Sequence, residues 1–307
     1  MSIFAVIFPG QGSQTVGMLA ELAKKFKVVQ RTFAEASDVL GYDLWALVQN
    51  GPDADLNQTH RTQPALLAAS VAIWRVWLQE SGAQPSVMAG HSLGEYSALV
   101  CAGVIDFKEA IKLVELRGKL MQKAVPAGIG AMSAIIGLDN EFISKMCEYA
   151  AQGQVVSPVN FNSPGQVVIA GNKEAVVRAN ELCKDAGAKR ALLLPVSVPS
   201  HCALMKPAAD KLAVALDSIE FSLPSIPVIN NADIAVETSS DAIKSALVRQ
   251  LFGPVRWAES IEKIASKGVK LLLEMGPSKV LTGLTKRIDR KLNAVVVNDP
   301  ASLEAAK

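Results

Sequence analysis

Gly90-His91-Ser92-Leu93-Gly94 sets one hydroxyl between two glycines at the end of the short apolar run Val87-Met88-Ala89, and residues able to continue as a helix follow at once. Strand, sharp turn and helix in that order make a nucleophile elbow, in which the serine projects from the end of a sheet. Glycine at 90 and 94 lets the backbone fold tightly and a neighbouring strand pass close, because neither residue carries a Cβ. A hydroxyl at a helix N-terminus also lies where unpaired N–H groups and the helix dipole favour an oxyanion. The competing reading is a glycine-rich turn whose serine merely caps the helix starting at Leu93. Five residues alone do not separate the two.

A serine nucleophile needs a base, and the chain has only three histidines. His91 is next to Ser92 in the turn, where neighbouring side chains diverge. His60 stands just before a strongly apolar helix read as opening at Thr62-Gln63-Pro64 and running through Leu78, a position typical of a capping or surface histidine. His201 remains, in Ser197-Val198-Pro199-Ser200-His201-Cys202 at a boundary between two patterns of elements, where folding can bring it to Ser92. Elbow hydrolases place Asp or Glu between serine and histidine as a third member, and nothing between Ser92 and His201 stands out; an amide oxygen is the other way to orient the imidazole. Asp106 caps a helix reaching to about Ala124. At about 100° per residue its apolar face is Ala110, Leu113, Val114, Leu120 and Met121, with Arg117 at the centre. A guanidinium among core residues is costly unless an anion meets it, and its fork suits a carboxylate. That anion is either a ligand or a carboxylate of the chain such as Glu95 or Glu115, unless the arginine snorkels to water.

The elements that must position these groups alternate. Ile3 to Phe8 reads as a buried strand closed by Pro9-Gly10-Gln11-Gly12-Ser13-Gln14. Gly10 and Gly12 are followed by Gly17 and by no Gly-Lys-Ser/Thr, which excludes a dinucleotide fingerprint and a P-loop. Helices follow over Met18 to Phe26 and Val28 to Leu40, separated from the next segment by Gly41. Between Gly128 and Val198 the pattern is strand (Ile129 to Ile136), helix (Glu141 to Ala151), strands (Val155 to Phe161 and Val167 to Ala170), helix (Lys173 to Ala186) and strand (Lys189 to Val196). This βαββαβ order is that of a ferredoxin-like unit inserted in a larger domain. Beyond it, strands at Ile226 to Ile229, Leu271 to Glu274 and Ala294 to Val297 alternate with helices at Asp241 to Phe252, Ala258 to Lys267 and Lys279 to Ile288. That alternation indicates a parallel sheet covered on both faces.

Composition narrows the function further. The 307 residues, 50% of them hydrophobic and 20% charged, suit two domains or one large α/β domain with an insertion. Lys+Arg 31 against Asp+Glu 29 argues against nucleic acid as the main partner. The N-terminal apolar run is too short for a signal peptide, and the longest one, Ala65 to Trp74, is too short to span a bilayer, so a cytoplasmic protein is expected. Cys101, Cys147, Cys183 and Cys202 have no C-x-x-C spacing, so they read as reduced core thiols, with neither a disulfide framework nor a metal site.

Taken together, Phe8-Pro9-Gly10-Gln11-Gly12-Ser13-Gln14, Thr62-Gln63-Pro64-Ala65-Leu66, Gly90-His91-Ser92-Leu93-Gly94-Glu95, Arg117, Ser197-Val198-Pro199-Ser200-His201 and Gly276-Pro277 resemble the malonyl-CoA:acyl carrier protein transacylases of bacterial type II fatty acid synthesis. The resemblance covers essentially the whole chain. It implies an α/β-hydrolase-like large domain (residues 1–125 and 203–307) with a ferredoxin-like small domain (126–202). It implies Ser92 as nucleophile, His201 as base and then acid, and Gln250 orienting His201 through its side-chain or main-chain carbonyl; read by itself, Gln250 passes for a solvated helix residue. The N–H groups of Gln11 and Leu93 would form the oxyanion hole, and Arg117 would hold the malonyl carboxylate. The implied substrates are malonyl-CoA and holo acyl carrier protein, handled by a monomer with no bound cofactor. Carrier proteins are acidic, so Lys189, Arg190, Lys286 and Arg287, with Arg290 and Lys291 nearby, are the candidate docking residues, a plain solvated charged face being the alternative. Two other functions use the same residues: an esterase or thioesterase, and a non-catalytic acyl-binding or scaffold subunit.

Overall fold

The computed structural model describes residues 3–126, 128–196 and 198–307, so Ser197 of the His201 motif lies outside the described residues. Among the described residues nine strands form two sheets: β1 (Phe4–Phe8), β2 (Val87–Gly90), β3 (Gly130–Ile136), β4 (Val156–Ser163), β5 (Gln166–Asn172), β6 (Arg190–Leu193), β7 (Val228–Ile229), β8 (Leu271–Glu274) and β9 (Asn293–Val296). The larger is parallel, in the order β7-β2-β1-β8-β9. The smaller is antiparallel, in the order β4-β5-β3-β6. The chain is therefore an α/β protein with one parallel and one antiparallel sheet.

β1 shows why the parallel sheet needs two covers. All five of its side chains are buried. Phe4, Val6 and Phe8 join the large core beneath the helices Thr59–Glu80 and Phe107–Ala124, while Ala5 and Ile7 join a second core with Trp257 and Ile261 of the helix Trp257–Ser266. Period-two alternation with both faces apolar is what a central parallel strand requires. Phe8 pairs with Gly90, so the loop after β1, carrying Gln11, and the turn after β2, carrying Ser92, leave the sheet side by side. Ligands of open α/β sheets sit at such carboxyl ends.

The antiparallel sheet rests on the helices Asn140–Ala151 and Lys173–Asp185 through Ile135, Ile143, Val167, Ile169 and Val176. Its opposite face, through Met132, Val168 and Ala170, packs against Cys202, next to His201. The expected element order is found here, although the last strand stops at Leu193 and not at Val196.

Two of the expected helices start more than one residue from where they were expected. The long apolar helix begins at Thr59, not at Thr62, which puts His60 in its first turn and Pro64 inside it. Thr62 closes that entrance by donating its hydroxyl to the carbonyls of Leu56 (2.6 Å) and Gln58 (3.1 Å). Pro64 stands past the first turn, so it offers no N–H to the His60 carbonyl, and the helix continues around that one missing bond. Likewise Met18 and Leu19 precede their helix, which runs Ala20–Lys25, since Leu19 is held at a φ of 62°. Among the described residues no helix is long and apolar enough to cross a membrane, and no group of three metal-ligating side chains forms.

Candidate active site

Ser92 sits directly after β2, as N-cap of the helix Leu93–Cys101, with φ 53° and ψ −107°. A side-chain-bearing residue there is strained, and the surroundings hold it so. A Cβ on Gly90 would stand 1.9 Å from the Gly94 carbonyl, and one on Gly94 2.1 Å from the Phe8 carbonyl oxygen. Both glycines are thus demanded by close backbone passage, as an elbow requires. The Ser92 N–H is fixed by Asn231 Oδ1 (2.7 Å), and Asn231 Nδ2 holds the Gly90 carbonyl (2.7 Å). No side-chain cap bond forms at Ser92 itself, so its hydroxyl is left to other partners.

That partner is His201, whose Nε2 lies 2.7 Å from Ser92 Oγ. On the other edge of the ring, Nδ1 lies 2.7 Å from the main-chain carbonyl oxygen of Gln250. A carbonyl can only accept, so Nδ1 carries the proton and Nε2 presents its lone pair to the hydroxyl. The imidazole is therefore in the tautomer that can take a proton from serine. Burial lowers the His201 pKa to about 3, and the positive charge of Arg117 adds to the shift while the Gln250 carbonyl opposes it. His201 is held neutral. His60 pairs instead with Gln122 (3.3 Å), and His91 with Asn162 of β4 (2.8 Å).

Arg117 is 1% exposed on its apolar helix face, where Phe107, Ala110, Leu113, Val114 and Met121 are buried with it; Leu120 is only half-buried. Neither alternative carboxylate meets it. Glu115 pairs with Lys119, and among the described residues no acid forms an ion pair with the guanidinium. Its Nη1 donates to Gln63 Oε1 (2.8 Å) and its Nη2 to Gln250 Oε1 (3.1 Å) and Ser92 Oγ (3.3 Å), while Nε has no partner. The Tyr96 ring lies 5.3 Å below it. A buried cation held by neutral amides, with donors to spare, is prepared for an anion from outside.

Ser92, His201 and Arg117 open into a cleft between the two sheets, lined also by Gln11, Leu93, Met121, Met132, Asn160, Leu194 and Val198. Leu93 begins its helix, so its N–H belongs to the unpaired first turn, beside Gln11 from the adjacent strand end. Three contributors were missed in the sequence. Asn231 follows the buried run Val228-Ile229 at a strand end, a position that could have flagged it. Gln63 reads only as a helix-opening residue, and Glu95 only as a possible partner of Arg117.

The acyl transferase domain family matches residues 5–298 of the chain. The malonyl CoA-acyl carrier protein transacylase of Salmonella typhimurium is 68% identical over 306 residues, covering 100% of this chain and 99% of that protein. The chain belongs to this transacylase family. The resemblance drawn from the motifs is thereby borne out over the full length. Among solved structures, an acyl carrier protein S-malonyltransferase from Vibrio cholerae is 72% identical, with a TM-score of 0.98 and full coverage of both chains. A malonyl-transacylase solved in complex with a type II PKS acyl-carrier protein is 71% identical, with a TM-score of 0.99 and 99% coverage of each chain. Among the described residues no acid meets His201 Nδ1; the Gln250 carbonyl stands where elbow hydrolases place one.

Proposed function

We propose that the chain moves a malonyl group from CoA to the phosphopantetheine thiol of acyl carrier protein through an ester on Ser92. The carrying observation is the 2.7 Å Ser92–His201 contact with, beside it, a guanidinium that no acid of the described residues pairs and whose Nε has no partner. His201 Nε2 takes the Ser92 proton as Oγ attacks the thioester carbon, and the oxyanion rests on the N–H groups of Gln11 and Leu93. The C–S bond breaks, His201 returns the proton to the leaving sulfur, and CoA departs. The carrier thiol then gives its proton to Nε2, its sulfur attacks the ester carbon, and the C–O bond breaks with the proton restored to Oγ.

Arg117 receives the malonyl carboxylate in this reading. Its charge helps depress the basicity of His201. A bound carboxylate neutralises that charge, so the imidazole strengthens as a base when the right substrate arrives. Acetyl-CoA brings no such charge. Discrimination therefore comes from both binding and base strength.

Residues 1–125 and 203–307 are assigned to a hydrolase-like domain and 126–202 to a ferredoxin-like insertion; the βαββαβ order with outer strands β4 and β6 supports this. The carrier protein is assigned to Lys189, Arg190, Lys286 and Arg287. In support, Arg287 donates to Gln166 (2.6 Å), and Gln166 and Arg190 flank Ile136 on its two sides, so the two basic groups lie at one end of the sheet.

Intact-mass measurement after malonyl-CoA, and again after holo carrier protein, tests the reading. One malonyl adduct is expected on the wild type, lost on adding carrier protein and never formed by Ser92→Ala. An adduct on Ser92→Ala would refute it, and free malonate without a transferred acyl group would favour a hydrolase.

A further inference from the structure

Glu95 lies 2% exposed one helical turn behind Ser92, where a carboxylate has lost its water. Burial lifts its pKa to about 7, opposed by Gln250, Asn231 and Arg117. Keeping an acid in such a place is unfavourable unless it organises its neighbours. Its Oε2 accepts from the Asn231 main-chain N–H (2.9 Å) and from Gln250 Nε2 (2.9 Å). Gln250 Nε2 also donates to the Ser92 carbonyl (2.9 Å), while Gln250 Oε1 accepts from Arg117 (3.1 Å). The Gln250 amide thus has two acceptors at one end and one donor at the other. Flipping it would set an NH2 against a guanidinium and an oxygen against two oxygens.

We propose that Glu95 is a positioning residue for malonyl selection: as a fixed acceptor it locks the sense of the Gln250 amide, which holds Arg117 by a neutral oxygen and keeps every carboxylate of the chain off the guanidinium. A direct Glu95–Arg117 pair would fill the fork that the substrate needs. The interposed amide couples the two while leaving Arg117 donors free. The main-chain carbonyl of Gln250 serves His201 separately, so the side-chain task is distinct from the base. The proposal rests on Arg117 receiving the malonyl carboxylate.

The test compares kcat/KM for malonyl-CoA and acetyl-CoA in the wild type, Glu95→Met, Glu95→Gln and Arg117→Ala. Glu95→Met removes the acceptor at similar size and is expected to cut the malonyl-to-acetyl ratio about tenfold. Glu95→Gln keeps an acceptor oxygen and should hold the ratio within threefold of the wild type; a purely structural loss would lower both donors together. A folded Glu95→Met that keeps the wild-type ratio, while Arg117→Ala loses it, overturns the proposal and leaves the Arg117 reading intact. An unchanged ratio in Arg117→Ala removes that reading instead, and this proposal with it. Should Glu95→Met not fold, the wild type still decides. The side-chain amide protons of Gln250, identified by NMR through their loss in Gln250→Met, should exchange at least tenfold slower than those of exposed glutamines. Exchange at the exposed rate overturns the proposal.

Discussion

Arg117→Ala separates the two acyl donors most sharply. In the wild type the malonyl carboxylate would meet a guanidinium already desolvated among Gln63, Gln250 and Tyr96. Truncation leaves that carboxylate buried and unpaired, a loss of about 3–5 kcal/mol. At about 1.36 kcal/mol per tenfold, kcat/KM for malonyl-CoA should fall by roughly two to three and a half orders of magnitude. Acetyl-CoA carries no carboxylate to strand. For it the substitution removes a charge that weakens His201 and a donor 3.3 Å from the nucleophile, so acetyl transfer should hold or rise. The variant also leaves the Gln63 and Gln250 side-chain oxygens without their donor, about 1–3 kcal/mol each before water enters, so rates belong below its melting transition. The assay follows release of CoA thiol with each donor at fixed carrier protein, beside a thermal melt. Equal losses for the two donors would show that Arg117 does not receive the malonyl carboxylate.

Ser92→Gly should melt a few degrees above Ser92→Ala, because both lose the hydroxyl but glycine alone sheds the positive-φ strain of about 1–3 kcal/mol; a calorimetric scan in which alanine is the more stable would contradict the strained elbow. The two shifted acids of the site oppose each other. Neutral His201, held at about 3, makes stability rise with pH between about 3 and 6.5, since the unfolded chain binds the extra proton there. Glu95, lifted from 4.5 to about 7, makes stability fall with pH across that interval, since the folded state binds the extra proton. Urea midpoints of Glu95→Gln measured against the wild type should therefore gain relative to it from pH 4.5 to 7, and a constant difference would be the contrary result. Arg190→Glu and Arg287→Glu should raise KM for the carrier protein, more at low salt, while leaving acylation by malonyl-CoA unchanged; an effect on acylation alone would remove them from the docking face.

Periodicity carried most of the fold, because both cores reward it. The central strand, the Asp106-capped helix with Arg117 on its apolar face and the βαββαβ succession each declare themselves through spacing. The entrance to the long helix did not, since Pro64 looks like a first-turn residue and the real start is closed by the hydroxyl of Thr62 reaching back. In the site, Ser92 and His201 were legible from an elbow and from scarcity. Gln250 was not, for a physical reason: the atom that orients His201 is its main-chain carbonyl, which every residue has. Asn231 and Glu95 were hidden because what they hold is backbone and amide, contacts that follow only from the tertiary arrangement.

The groups that fix Ser92 come late in the chain: Asn231 follows it by 139 residues and Gln250 by 158. During synthesis the serine emerges from the ribosome well before anything that can deprotonate it or hold its turn. A nascent polypeptide ending ahead of the helix Ser240–Phe252 lacks Gln250, and with it the carbonyl that holds His201 and the amide that holds the Ser92 carbonyl. The turn at Ser92 therefore has all its holders only once nearly the whole chain is made.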